Sequence, residues 1–83
     1  MPMQPYTFRV IIEPEKPRGY HGFVPLLPGL HTSGKTLEAV KKNLHEAIVC
    51  HVQGLQKDGE RIPQESEAFE IIQTFSGQEL AFA

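Results

Sequence analysis

The segment GLHTSGKT matches, letter by letter, a phosphate-binding loop of the form GxxxxGK[ST]. Its fixed positions are Gly29, Gly34, Lys35 and Thr36. In nucleotide-binding proteins such a loop surrounds phosphates with backbone amides and a lysine. Here the preceding strand is short and interrupted by Pro28, no strand ending in an acid follows, and 83 residues are too few for the usual parallel α/β sheet. We therefore interpret the match as accidental and expect no nucleotide cofactor.

Carboxylates raise a second possibility, a metal-dependent nuclease, in which several acids surround two Mg²⁺ ions. The first predicted strand has no acid before Glu13 at its far end, and Asp58 is the only aspartate. Glu38, Glu46 and Glu70 lie on other predicted elements, with no pattern that brings them together. We expect no catalytic site, and a divergent metal-dependent RNase is the less favoured alternative.

Histidines and a single cysteine complete the potentially reactive residues. His51 falls on the apolar face of a predicted helix, which favours a hydrogen-bonded core or interface histidine over a catalytic base. His45 is expected in solvent. His21 and His31 lie on neighbouring predicted strands, but zinc needs three or four ligands and no further ligand is grouped with them. Cys50 is expected to be a small semi-buried residue without a base beside it. We expect no metal site.

A long amphipathic helix is the main structural element that the sequence predicts. We place it at Thr36–Asp58, with Thr36 as N-cap, Lys57 in the last turn and Gly59 immediately after it. Residues at three- and four-residue steps form its apolar face: Leu37, Val40, Leu44, Ala47, Ile48, His51, Val52 and Leu55.

Strands are predicted on both sides of this helix. Alternating apolar and polar residues indicate Tyr6–Glu13 as the first strand and Ala68–Phe75 as the last. Tyr20–Pro25 and a brief Leu30–Ser33 lie between the first strand and the helix, and Gly22 marks a bulge or a close approach. The order β-β-β-α-β predicts an α+β fold with one long helix packed on a mostly antiparallel sheet. A right-handed crossover would place the last strand parallel to the first, beside it.

Size and composition limit the remaining possibilities. We expect one domain over residues 1–83, with a core of about 6–75 and a tail of 76–83. The core of so small a chain is thin, and the outer strands are open edges, so we expect a dimer or larger homo-oligomer. With no apolar run of ~20 residues and no signal-peptide pattern, we expect a cytoplasmic protein without a membrane partner.

Charge is divided unevenly along the chain. Residues 1–57 contain seven Lys or Arg against four Glu, whereas residues 58–83 contain one Arg against six acids. The net charge of −2 does not favour direct nucleic-acid binding, which usually requires a basic surface. The acidic second part predicts either a solvated face or a surface that attracts a basic partner.

A series of short motifs resembles the N-terminal domain of HicB-type antitoxins. The run GYHGFVPLLPGLHTSGKTLEAVKKNLHEAI is followed, after a matching gap, by DGERIP. The corresponding positions, which together cover most of residues 6–75, are Gly19, Tyr20, Pro25, Leu27, Pro28, Gly29, Gly34, Thr36, Leu37, Glu38, Asp58, Gly59, Ile62 and Pro63. The chain departs from the family pattern at Leu26, where an acid is usual, and at Ala39, where a second glutamate is frequent.

This resemblance implies a partial ribonuclease H-like fold, β-β-β-α-β, in agreement with the predicted element order. It also implies an antitoxin of a type II toxin–antitoxin system, which binds and neutralises a small HicA-type toxin that cleaves RNA. The candidate toxin contacts are the acids that follow the helix: Asp58, Glu60, Glu65 and Glu67. Relatives commonly carry a C-terminal DNA-binding segment, for which residues 76–83 are too short. An orphan oligomeric protein without a toxin is the alternative.

Overall fold

A computed structural model describes residues 5–65 and 70–81. Three short strands form an antiparallel sheet in the order β1-β2-β3. One long helix follows the sheet and packs against one of its faces, and a single short helical turn follows near the C-terminus. The elements are β1 (Ile11–Pro14), β2 (Tyr20–Phe23), β3 (His31–Gly34), α1 (Leu37–Lys57) and α2 (Gly77–Leu80). Neither described helix is long and apolar enough to cross a membrane. The predicted α+β class is confirmed.

Helix α1 begins where the sequence predicts. Thr36 has extended backbone angles and its hydroxyl accepts the Ala39 N–H at 3.0 Å, which satisfies one of the amides that lack an intrahelical partner. Glu38 lies in the first turn, where the positive end of the helix dipole favours an acid. The letters GKT thus have a structural explanation, because the threonine is engaged in starting the helix.

The C-terminal end of α1 is closed by a glycine-dependent turn. Gly59 has a φ of 70°, a conformation that glycine adopts without the steric penalty of a Cβ. The Gly59 N–H donates to the Gln56 carbonyl at 3.1 Å, and the Glu60 N–H donates to the Leu55 carbonyl at 2.8 Å. These two bonds form a Schellman motif, so the predicted stop of the helix is confirmed.

Two glycines let α1 approach the sheet closely. A Cβ added to Gly22 would lie 2.6 Å from the Cδ1 atom of Leu44, and one added to Gly34 would lie 2.7 Å from the backbone nitrogen of Val40. The prediction that Gly22 marks a close approach is therefore confirmed. Asn43 fixes the same contact, because its side-chain amide donates to the Ser33 carbonyl at 2.8 Å.

The loop between β2 and β3 supplies most of the buried core. Five hydrophobic side chains are buried in the described part of the chain: Val24, Leu27, Leu30, Val40 and Leu44. Three of them belong to this loop, which is folded by hydrogen bonds from Leu27 N–H to Val24 O (3.0 Å) and from Leu30 N–H to Leu27 O (3.1 Å). The loop therefore covers one end of the sheet–helix interface.

The ends of the sheet differ from the prediction. The central strands match within two residues, but β1 covers only Ile11–Pro14, and residues 5–10 are in no strand. Of the predicted strand 68–75, residues 68 and 69 lie outside the described residues, and 70–75 are in no strand. A strand forms only where its backbone pairs with a partner edge. Neither segment is paired in the single chain, although the outer edge of β1 is open. The described sheet is compatible with a partial ribonuclease H-like fold that lacks its fourth strand.

Candidate protein-binding surfaces

The sheet face opposite α1 is covered by no described element. Alternation and register place two rows of side chains on it: Glu13, His21 and Ser33 in one row, and Ile11, Phe23 and His31 in the other. The Nε2 atom of His21 lies 3.0 Å from a carboxylate oxygen of Glu13. The rings of Phe23 and His31 stack, with centroids 5.8 Å apart. This outer sheet face is therefore mixed in character, with an aromatic half and a polar half.

The two strand histidines meet in one shallow depression on this face. His21 and His31 both line it, together with Glu15, Thr32 and Ser33, and its volume is about 460 Å³. Within residues 5–65 and 70–81, no three His, Cys, Asp or Glu side chains come close enough together to hold a metal ion. The depression offers hydrogen-bonding groups and an aromatic edge to a binding partner.

The acids proposed as toxin contacts have different environments. Asp58 and Glu60 are exposed beside the C-terminal end of α1, where the negative end of the helix dipole adds to their field. Glu65 is half-buried, and its carboxylate accepts the backbone N–H of Arg9 at 3.0 Å. Glu67 lies outside the described residues. The structure thus leaves Asp58 and Glu60 available to a partner and engages Glu65 within the fold.

Arg9 joins the two ends of the chain, a role that sequence reasoning missed. Its backbone N–H donates to Glu65, and its guanidinium donates to the Glu70 carboxylate at 2.9 Å. Its Nε atom is buried, and no described residue pairs with it. The partners lie 56 and 61 residues away in sequence, so no local pattern indicates them.

An open groove, the apolar groove, separates the edge of β1 from α1. Four apolar side chains, a lysine and a histidine line it: Val10, Ile12, Leu44, Ile48, Lys41 and His45. Its volume is about 330 Å³. The floor of the groove is continuous with the core, since Leu44 is buried there.

The two histidines and the cysteine of α1 do not form a reactive cluster. His45 is exposed, as expected, and His51 is half-buried. Cys50 is exposed, so the expectation of a semi-buried position is wrong. Its position on the helix lies just outside the apolar face. A free thiol on a solvent-facing helix surface has no core-packing role.

The fold and these surfaces define a small α+β domain that offers faces and a groove for association. A family model described as the HicB-like antitoxin of bacterial toxin–antitoxin systems matches residues 8–81. The chain belongs to the HicB-like antitoxin family. Membership in an antitoxin family implies a toxin partner and indicates a role exercised by binding rather than by catalysis.

Similar proteins come from bacteria and archaea. A UPF0150 protein of Synechocystis sp. is 38% identical over 77% of this chain and 81% of its own length. UPF0150 proteins of Thermoplasma acidophilum and Thermotoga maritima are 37% and 44% identical, over 71% and 80% of this chain and 86% and 87% of their own lengths. No solved structure matches the chain significantly.

Proposed function

We propose that this chain is the antitoxin of a type II toxin–antitoxin pair and neutralises a small HicA-type, RNA-cleaving toxin by binding over its RNA-contacting face. The family match over residues 8–81 carries the proposal. The pair would act in the cytoplasm, and the antitoxin would function as a homo-oligomer.

The helix C-terminal end is the proposed electrostatic contact. A toxin that binds RNA needs a basic surface to hold phosphates. Asp58 and Glu60 are exposed beside the negative end of α1 and offer a complementary field. Glu65 follows these two acids in sequence and ties the segment after α1 to the backbone N–H of Arg9. Glu67 lies two residues further along the chain. Complementary rim charges raise association rates and orient the partner.

Coexpression with a HicA-type toxin encoded beside this chain's gene tests the proposal. We expect the antitoxin to restore growth of toxin-expressing cells, and the purified pair to form a complex that weakens as salt rises. A toxin that stays active and unbound at low salt would contradict the proposal. The absence of any such reading frame beside the gene would favour the orphan alternative.

A pair of charge-matched variants tests the contact surface. Asp58→Asn with Glu60→Gln should weaken toxin binding by about two- to thirtyfold, the range for losing two exposed ion pairs, and should reduce the salt dependence. Glu38→Gln with Glu46→Gln removes the same charge from exposed positions elsewhere on α1 and serves as the control. Equal losses in both double variants would mean that net charge, and not this surface, attracts the toxin.

A further inference from the structure

Two segments of the chain expose apolar side chains and have the alternation of strands. Six of the eight exposed large apolar residues in the described chain fall in residues 5–10 and in residues 70–81, the C-terminal arm: Tyr6, Val10, Ile71, Ile72, Phe75 and Leu80. Ile71 is 72% exposed and Ile72 is 96% exposed. Side chains of this kind are rarely grouped on the surface of a monomer without a partner.

The C-terminal arm contacts the body through the ion pair of Glu70 with Arg9, but its apolar side chains are not packed there. The Cα radius of gyration is 16.9 Å and the longest dimension is 59 Å. A compact domain of this length would have a radius of gyration of about 12 Å. All residues of the arm are exposed. The arm therefore extends from the domain without burying its own apolar residues.

The same chain contains an unfilled surface that fits this arm. The sheet order leaves one edge of β1 unpaired, and the apolar groove runs beside that edge, with Val10, Ile12 and Ile48 in its lining. An open edge and an adjacent apolar groove are the two features that a strand added to a sheet requires, for backbone pairing and for side-chain burial.

We propose that residues 70–75 of one chain add as a fourth strand to the open β1 edge of a second copy, which returns its own arm reciprocally. Ile71 and Phe75 share a face of such a strand and enter the apolar groove. Ile72, on the opposite face, covers Ile11 on the outer sheet face. The exchange is isologous, as a closed dimer requires.

The exposure of the arm and the area it would bury support a second copy as the occupant. Arg9 holds Glu70 next to the segment that leads into β1, yet Ile71 and Ile72 beyond it stay exposed, so the arm does not fill the groove of its own chain. Two exchanged arms with three large apolar side chains each would bury on the order of 1,000 Å², the size that a specific interface needs. This inference rests on the homo-oligomer of the proposed function, for which it supplies an interface, and it does not require a toxin.

Sedimentation equilibrium of the full chain tests the exchange. We expect a dimer, and we expect Ile71→Ser with Phe75→Ser to raise its dissociation constant by at least roughly a hundredfold, because each substitution occurs twice in the dimer. Val49→Ser is the control, since Val49 is an exposed apolar residue of α1 outside the groove, and this variant should remain dimeric. A monomeric native chain, or a dimer unaffected by the arm variant, overturns the proposal.

Cross-linking between two differently tagged chains identifies which arm occupies which groove. In a Cys50→Ser background, one chain carries His45→Cys in the groove and the other carries Ile71→Cys in the arm. A disulfide between the two chains after mixing is the expected result. If no mixed disulfide forms, while one chain carrying both substitutions closes an internal disulfide, the arm folds onto its own groove and the exchange is overturned.

Discussion

Gly34 provides the closest approach between β3 and α1. A Cβ at this position would lie 2.7 Å from the Val40 nitrogen and 3.0 Å from Ala39, and backbone atoms of a helix cannot move aside as a flexible side chain can. We expect Gly34→Ala to lower the free energy of unfolding by about 1–3 kcal/mol, the usual cost of overpacking. Urea denaturation followed by circular dichroism measures it.

Gly54 is the matched control for this substitution. It lies within α1, and a Cβ there would meet nothing within 4 Å. Gly54→Ala should therefore raise the free energy of unfolding by roughly 0.5–1 kcal/mol, since glycine is a poor residue for a helix interior. Equal stability of the two variants would show that α1 does not pack on β3 as closely as the structure describes.

Residues whose partners are near in sequence are predictable, and those with distant partners are not. Thr36 and Gly59 act on amides and carbonyls a few residues away, so residue type and position indicate their roles. Arg9 bonds to Glu65 and Glu70, and the choice among ten acids is made by the tertiary fold. For the same reason, no sequence pattern indicates that Glu65 is engaged internally while Asp58 and Glu60 face solvent.

At the scale of elements, the stability of the domain depends on the apolar face of α1. Leu44 is buried, contacts the sheet at Gly22 and forms part of the apolar groove. We expect Leu44→Ala to lower the free energy of unfolding by ~2–5 kcal/mol, as for other buried leucines. Val49→Ala, at an exposed position of the same helix, should change it by less than about 0.5 kcal/mol. A loss below ~1 kcal/mol for Leu44→Ala would mean that this face is not the buried one.

A secondary-structure element can be predicted from the sequence to the extent that its apolar residues recur with the period of a helix or a strand. Helix α1 shows a 3.6-residue pattern over 21 residues, and its bounds follow from sequence. The apolar residues of the core loop from Val24 to Leu30 follow no helix or strand period, because turns set their spacing. The composition of this loop therefore indicates only that the strand ends. Residues 6–10 and 70–75 do alternate, but alternation shows only that a segment suits a strand; whether it reaches and pairs with an edge is decided by the tertiary and quaternary fold.

At the scale of the whole molecule, the surfaces that lack a packing or pairing partner are grouped on one side of the domain. The β1 edge, the apolar groove and the unpaired residues 5–10 are adjacent, and the C-terminal arm has the apolar residues to cover them. The acidic end of α1 is formed by other residues, so the proposed arm exchange and the proposed toxin contact do not compete for the same residues. Assembly and toxin binding would then use separate surfaces.

Thermal unfolding over a dilution series tests whether assembly completes the fold. If the fourth strand comes from a second copy, folding and association are coupled, and the Tm rises with protein concentration by mass action. We expect this rise in the native chain and in Val49→Ser, measured by circular dichroism. Ile71→Ser with Phe75→Ser should show a lower Tm that is independent of concentration, because both side chains are exposed in the single chain and stabilise only the dimer. A native Tm that stays constant on dilution would mean that the three-stranded chain is already the complete folding unit.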